Sequence, residues 1–183
     1  TSSTDAAILA TLAPGNYTVQ AKGPTNAASG IVLVEVYDAS PSSTATTPKP
    51  INVSTRGQVG TGANSLIAGF VINGTVSRRV LVRGVGPTLA NFGLGGAGLL
   101  ADPQIELFDA NNVSVKKNDD WASGDDAAII AAAAVAGGAF PLANGSKDAA
   151  MLLMLSPGLY TVQLTGVGNT TGVGLVEVYD VDP

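Results

Sequence analysis

Apolar and polar positions alternate in two stretches of nearly the same sequence. Tyr17, Val19 and Ala21 alternate with Thr18, Gln20 and Lys22, and Tyr160, Val162 and Leu164 alternate with Thr161, Gln163 and Thr165. A period of two predicts half-buried strands. Residues 31–37 and 173–179 are almost wholly apolar and rich in β-branched side chains, which predicts central strands covered on both faces. Shorter runs predict strands at 51–55, 65–72, 79–83, 104–108 and 113–117, the last two joined by a turn at 109–112. One stretch breaks the pattern: the alanine-rich residues 125–136 predict a single helix. Ser123–Asp126 resembles a capping box before it, and Gly137 and Gly138 provide the stop. Pro14-Gly15 and Pro157-Gly158 fit type II turns. The glycine-rich connection 84–103 is long enough to be expected to cover one end of the fold or to make a contact. Many short strands with one helix predict an all-β fold, a β-sandwich or jelly-roll-like domain.

The two alternating stretches belong to a duplication. Residues 5–20 recur as 148–163, and residues 33–38 recur as 175–180; with a one-residue gap, about 20 of the 33 aligned positions are identical. Identity extends to polar pairs such as Gln20 and Gln163 or Glu35 and Glu177, which a shared strand pattern alone does not require. The copies differ in context. Residues 50–183 read as a complete β-sandwich module ending in the second copy. Residues 1–38 read as a partial repeat of that module's C-terminal strands, and residues 39–49 as a Ser/Thr/Pro linker.

Composition narrows the function. Only 13% of residues are charged and 45% are apolar, whereas soluble globular chains carry roughly 25% charge. The chain is too apolar to be disordered. Its longest apolar run, residues 129–140, is too short for the roughly 20 residues that cross a bilayer, so no membrane insertion is expected. Cysteine and histidine are both absent. That excludes disulfides, thiolate and imidazole metal sites, and the nucleophile–histidine arrangements of hydrolases. A net charge of −5 argues against a nucleic-acid partner. The complete unit holds two glutamates, Glu106 and Glu177, both in predicted strands rather than a cleft, so no enzyme is expected. The opening residues carry no signal-peptide pattern, which leads to the expectation of a mature, processed or excised chain.

Ser54-Thr-Arg-Gly-Gln-Val-Gly-Thr-Gly62, Leu66-Ile-Ala-Gly-Phe70, Val82-Arg-Gly-Val-Gly-Pro87, Leu99-Leu-Ala-Asp-Pro103, Asn118-Asp-Asp-Trp121 and the two Pro-Gly-x-Tyr-Thr-Val endings form a connected set. Together they resemble a repeat module of large secreted or surface proteins of environmental bacteria. The portion from Ile105 onward is also similar to bacterial pre-peptidase C-terminal domains. The resemblance implies a β-sandwich on the cell exterior, with calcium at an acidic turn as a further implication and no catalytic residue.

Several sites follow as expectations. Asp109, Asn111, Asn118, Asp119 and Asp120 (with Asp125 and Asp126 beyond them) offer the hard oxygens calcium prefers; the same residues also suit turns and helix caps. Asn16, Asn52, Asn73, Asn112, Asn144 and Asn169 stand in Asn-x-Ser/Thr sequons, and Ser42, Ser43, Thr44, Thr46 and Thr47 could carry O-linked glycans. Gly93–Gly98 matches a dinucleotide fingerprint only superficially, since no strand–helix unit surrounds it, so no nucleotide cofactor is expected. Residues 39–101 contain no acid but hold Lys49, Arg56, Arg78, Arg79 and Arg83. Intramolecular pairing of an arginine with Glu106 or Glu177 is expected ahead of head-to-tail docking of charged faces. Finally, Ile31, Leu33, Val34, Val36 and Tyr37 make a strand that would be surplus to the complete module. It is expected to complete or extend a neighbour's sheet by strand addition. The expected function is therefore an extracellular structural or adhesive repeat subunit that partners itself head to tail. The alternative is an accessory module binding calcium or carbohydrate within a larger secreted protein.

Overall fold

The computed structural model describes residues 5–25, 28, 30–40, 48–95, 98–124 and 126–182. The chain divides into two units, Thr1–Pro50 and Ile51–Pro183.

The second unit is a sandwich of two four-stranded antiparallel sheets. In chain order its elements are β1 (Asn52–Val59), β2 (Leu66–Ile72), β3 (Arg78–Val85), β4 (Pro103–Phe108), β5 (Ser114–Asn118), α1 (Ala127–Ala136), β6 (Ala149–Leu155), β7 (Gly158–Gly166) and β8 (Gly172–Asp180). One sheet runs β1-β8-β3-β6 and the other β2-β7-β4-β5. The duplicated strands β7 and β8 are thus interior strands of opposite sheets. In β4, Ile105 and Leu107 point into the core while Gln104, Glu106 and Phe108 are only partly covered, the alternation that a one-sided sheet imposes. The core between the sheets comprises Val59, Val80, Val82, Leu100, Ile105, Leu107, Met151, Val162, Leu164 and Val176 among others.

A second cluster lies on the outer face of the first sheet, where Ile130, Ala133 and Ala134 of α1 cover Leu81, Ala150, Tyr179 and Val181. Helix α1 forms where expected, but its start differs from the capping box. The Ser123 hydroxyl donates to the Asp120 carbonyl instead, and Asp126, the N-cap, makes no side-chain cap bond. Its end is a Schellman motif: Gly138 takes φ 72°, its N–H donates to Val135 O, and Ala139 N–H donates to Ala134 O. Described residues of the connection 84–103 pack into the sandwich. A 3₁₀ turn at Pro87–Phe92 buries Thr88 and Leu89, and Leu100 is fully buried with Leu99 bridged to Val173.

β6 was not among the strands expected from the sequence. Its Ala-Ala-Met-Leu-Leu-Met-Leu run has no period of two and no β-branched residue, so only pairing with β3 defines it. The type II turns are also absent. Neither Gly15 nor Gly158 takes positive φ, and Gly158 opens β7 directly.

The first unit departs most from expectation. Among its described residues none lies in a strand, and all are exposed, including 17–22 and 31–37. Sheet hydrogen bonds need a partner strand, and the partners that hold β7 and β8 belong to the complete module alone. The linker sites Ser42, Ser43, Thr44, Thr46 and Thr47, and the acid Asp125, lie outside the described residues.

Candidate functional site

Arg83 on β3 pairs in register with Glu177 on β8, and both side chains are buried. Arg83 Nε donates to Glu177 Oε2 at 2.8 Å, and Nη2 lies 2.6 Å from the same oxygen. Nη1 donates to the Phe140 carbonyl at 2.6 Å, and the guanidinium sits 4.3 Å from the centre of the Phe140 ring. The other carboxylate oxygen accepts the Tyr179 hydroxyl at 2.7 Å. Burial, followed by the charge of Glu177 and the hydrogen bond to it, holds the Tyr179 phenol well above its ordinary range, and Arg83 opposes the shift. The arginine–glutamate pairing expected from the sequence is therefore realised at Glu177. Phe140 carried no sequence signal, because its contribution is a carbonyl and a ring face.

The N-terminal copy reproduces the local parts of this arrangement. Tyr37 donates to Glu35 Oε1 at 2.9 Å, as Tyr179 does to Glu177. Tyr17 donates to the Ala13 carbonyl at 2.7 Å, as Tyr160 does to Ser156 at 2.9 Å. Gly15 and Gly158 are each overlain by the following tyrosine ring. These bonds span two or four residues and need no partner strand; the two four-residue bonds, from Tyr17 and Tyr160 to upstream carbonyls, resemble a tyrosine corner.

What the N-terminal copy lacks is cover. Val34 is 46% exposed where its counterpart Val176 is 0%, Tyr37 is 78% against 5% for Tyr179, and Val19 is 63% against 0% for Val162. The five residues expected to drive assembly, Ile31, Leu33, Val34, Val36 and Tyr37, are all among the exposed large apolar side chains. Burial of each such side chain stabilises by about 1.5–3 kcal/mol, so the segment is a strong apolar surface.

The acidic residues fall into two places. Asp109 closes the β4–β5 hairpin, its Oδ1 accepting the N–H groups of Asn111 and Val113 at 2.9 Å each. Asn118 ends β5; its Oδ1 accepts Ala150 N–H and its Nδ2 donates to Asp120 O. Asp120 binds Lys147, whose ammonium is held above its usual range chiefly by that bond. The strand Ser114–Asn118 separates the two turns at about 3.3 Å per residue. Asp109 and Asn111 therefore do not share a site with Asn118, Asp119 and Asp120. Among the described residues no group of three acids could hold a metal.

Five of the sequon asparagines, Asn16, Asn73, Asn112, Asn144 and Asn169, are exposed, whereas Asn52 lies half-buried in β1 and donates to Val178 O. Two features had no expectation attached. Asp148 is fully buried and accepts Gly86 N–H, both N–H and hydroxyl of Thr88, and the Ser146 hydroxyl, tying the 86–88 turn to the start of β6. Beside α1, a cavity of about 250 Å³ is walled by Ile130, Ala134, Leu142 and Trp121. The buried indole N–H of Trp121 has no hydrogen-bond partner.

No protein-family model and no curated protein matches the chain. Among solved structures it is similar to the pre-peptidase C-terminal domain of collagenase from Bacillus anthracis, with a TM-score of 0.41 and 12% identity over 72% of this chain and 99% of that one. Among the described residues no helix is long and apolar enough to cross a membrane.

Proposed function

We propose that the protein is an extracellular structural or adhesive repeat subunit that assembles head to tail through its N-terminal copy. One observation carries this reading: side chains that the complete module buries are exposed among the described residues of 5–38, where the hydrogen bonds of Tyr17 and Tyr37 match those of Tyr160 and Tyr179. So much apolar surface needs cover, and the module itself supplies the pattern of cover it needs. A contact in which one end of a chain engages a different surface on the next is heterologous and propagates as a filament or array instead of closing. The lack of histidine, cysteine and dense surface charge fits an exterior structural role.

Deletion of residues 1–40 tests it. Sedimentation velocity and electron microscopy should find the full chain in assemblies and the shortened chain as a folded monomer. Equal assembly of both would end this reading.

A further inference from the structure

We infer that residues 5–38 are an interchangeable strand set, built to be inserted into a β1–β5 and α1 frame of the module rather than laid along an outer edge. The inference rests on the assembly reading only for its biological setting; its physical basis is separate.

The first argument is position. The duplicated segment corresponds to β6, β7 and β8, and β7 and β8 are interior strands held between β2 and β4 and between β1 and β3. The copies of β7 and β8 therefore come from strands with both backbone edges committed to neighbours, whereas β6 lies at a sheet edge. Edge addition would satisfy one backbone edge of each strand and leave the other open.

The second argument is chemistry. Glu35 and Tyr37 keep the hydrogen bond that Glu177 and Tyr179 make, so the set already carries the acidic half of the buried cluster. Arg83 of the frame is the complementary half. The occupied place is thus specified by charge as well as by shape.

The third argument is volume. Val32 stands where the second copy has Gly174, and Ala21 stands where it has Leu164. A Cβ added at Gly174 would meet Leu164 Cδ2 at 3.0 Å and Val59 Cγ2 at 3.0 Å. In the N-terminal copy the leucine has become alanine at the position whose retreat makes room for the valine. Leu164 and Gly174 lie on opposite sheets, so reciprocal sizing makes sense only if residues 21 and 32 also face each other across a sandwich. The remaining contacts, with Val59 and, at 3.6 Å, with Leu100, belong to the frame.

One frame cannot hold both sets. The set left outside is the one available to another frame.

Full-length variants test the inference, with the emission of Trp121, the sole tryptophan, reporting thermal unfolding. Val162→Asp with Val176→Asp disables the chain's own set. That variant should keep a cooperative transition at a lower midpoint, and adding Val19→Asp with Val34→Asp should abolish it. If Val32 is too large beside Val59, the transition will be absent from the first variant and restored by Ala21→Leu with Val32→Gly. Absence in both, or a retained transition indifferent to Val19→Asp with Val34→Asp, overturns the inference. A rescued transition in a chain whose unaltered form never assembles would keep the insertion and discard the assembly function.

Discussion

Arg83 and Glu177 face each other at one register position of the β3–β8 ladder, both sealed from water. Replacing one partner strands the other's charge in the interior, which costs about 3–5 kcal/mol. Glu177→Met and Arg83→Met should each lower stability by that order, read from urea denaturation. The double variant R83M/E177M should fall well short of the sum, because no charge remains unpaired. Additive losses would mean that the pair is not the coupled unit the geometry describes.

The same cluster sets an alkaline limit. The Tyr179 phenol is raised above its ordinary 10.0, so the fold favours its neutral form. Its contribution is complete below about pH 10 and is lost as pH climbs from there toward the raised value. Denaturation curves at about pH 9 and pH 11 should therefore diverge more for the unaltered protein than for Tyr179→Phe. Parallel losses in the two proteins would place the alkaline sensitivity elsewhere.

Asp148 is the fastener between the 86–88 turn and β6. Asp148→Ala would leave the Gly86 and Thr88 donors buried without a partner, at about 3 kcal/mol. Thr88→Val should cost less, because it keeps both N–H bonds to Asp148 and loses only those of the hydroxyl, to Asp148 and from Ala143 N–H. Hydrogen exchange at Gly86 and Thr88 should quicken in both variants, and unchanged protection there would contradict the assignment.

Gly174 and Leu164 offer a test of packing inside the complete module. Gly174→Val alone overpacks the core, and Leu164→Ala alone leaves a cavity of the kind that costs about 2–5 kcal/mol. Together they should recover at least about 1 kcal/mol relative to the sum, read from chemical denaturation. A double variant no better than additive would remove the volume argument.

Legibility from sequence followed the range of the interactions. β7 and β8 were visible because alternation and β-branching are written residue by residue, and α1 because alanine favours helix locally. β6 was hidden, since Ala149–Leu155 is a strand by virtue of β3 beside it. The same dependence explains why residues 31–37, with stronger strand character than β6, form no strand without a neighbour. The acidic set misled for a related reason. Asp109 and Asp120 are close in sequence, but an intervening extended strand carries them apart. Arg83–Glu177 was legible as a charge argument, whereas the Asp148 carboxylate meets N–H groups and hydroxyls of other loops and Phe140 offers a carbonyl and a ring face, partners that composition does not mark.

The pairing of β1 with β8 has a consequence in time. These are the first and last strands of the module, and Asn52 must find Tyr179. On a ribosome adding about 5–20 residues per second, β1 emerges many seconds before its partner exists. Closure of the first sheet must therefore wait until β8 has been made, and the strand order makes folding slow by its nonlocal contacts. Throughout that wait, the segment already outside and ahead of β1 is residues 5–38, a copy of the very strands being awaited.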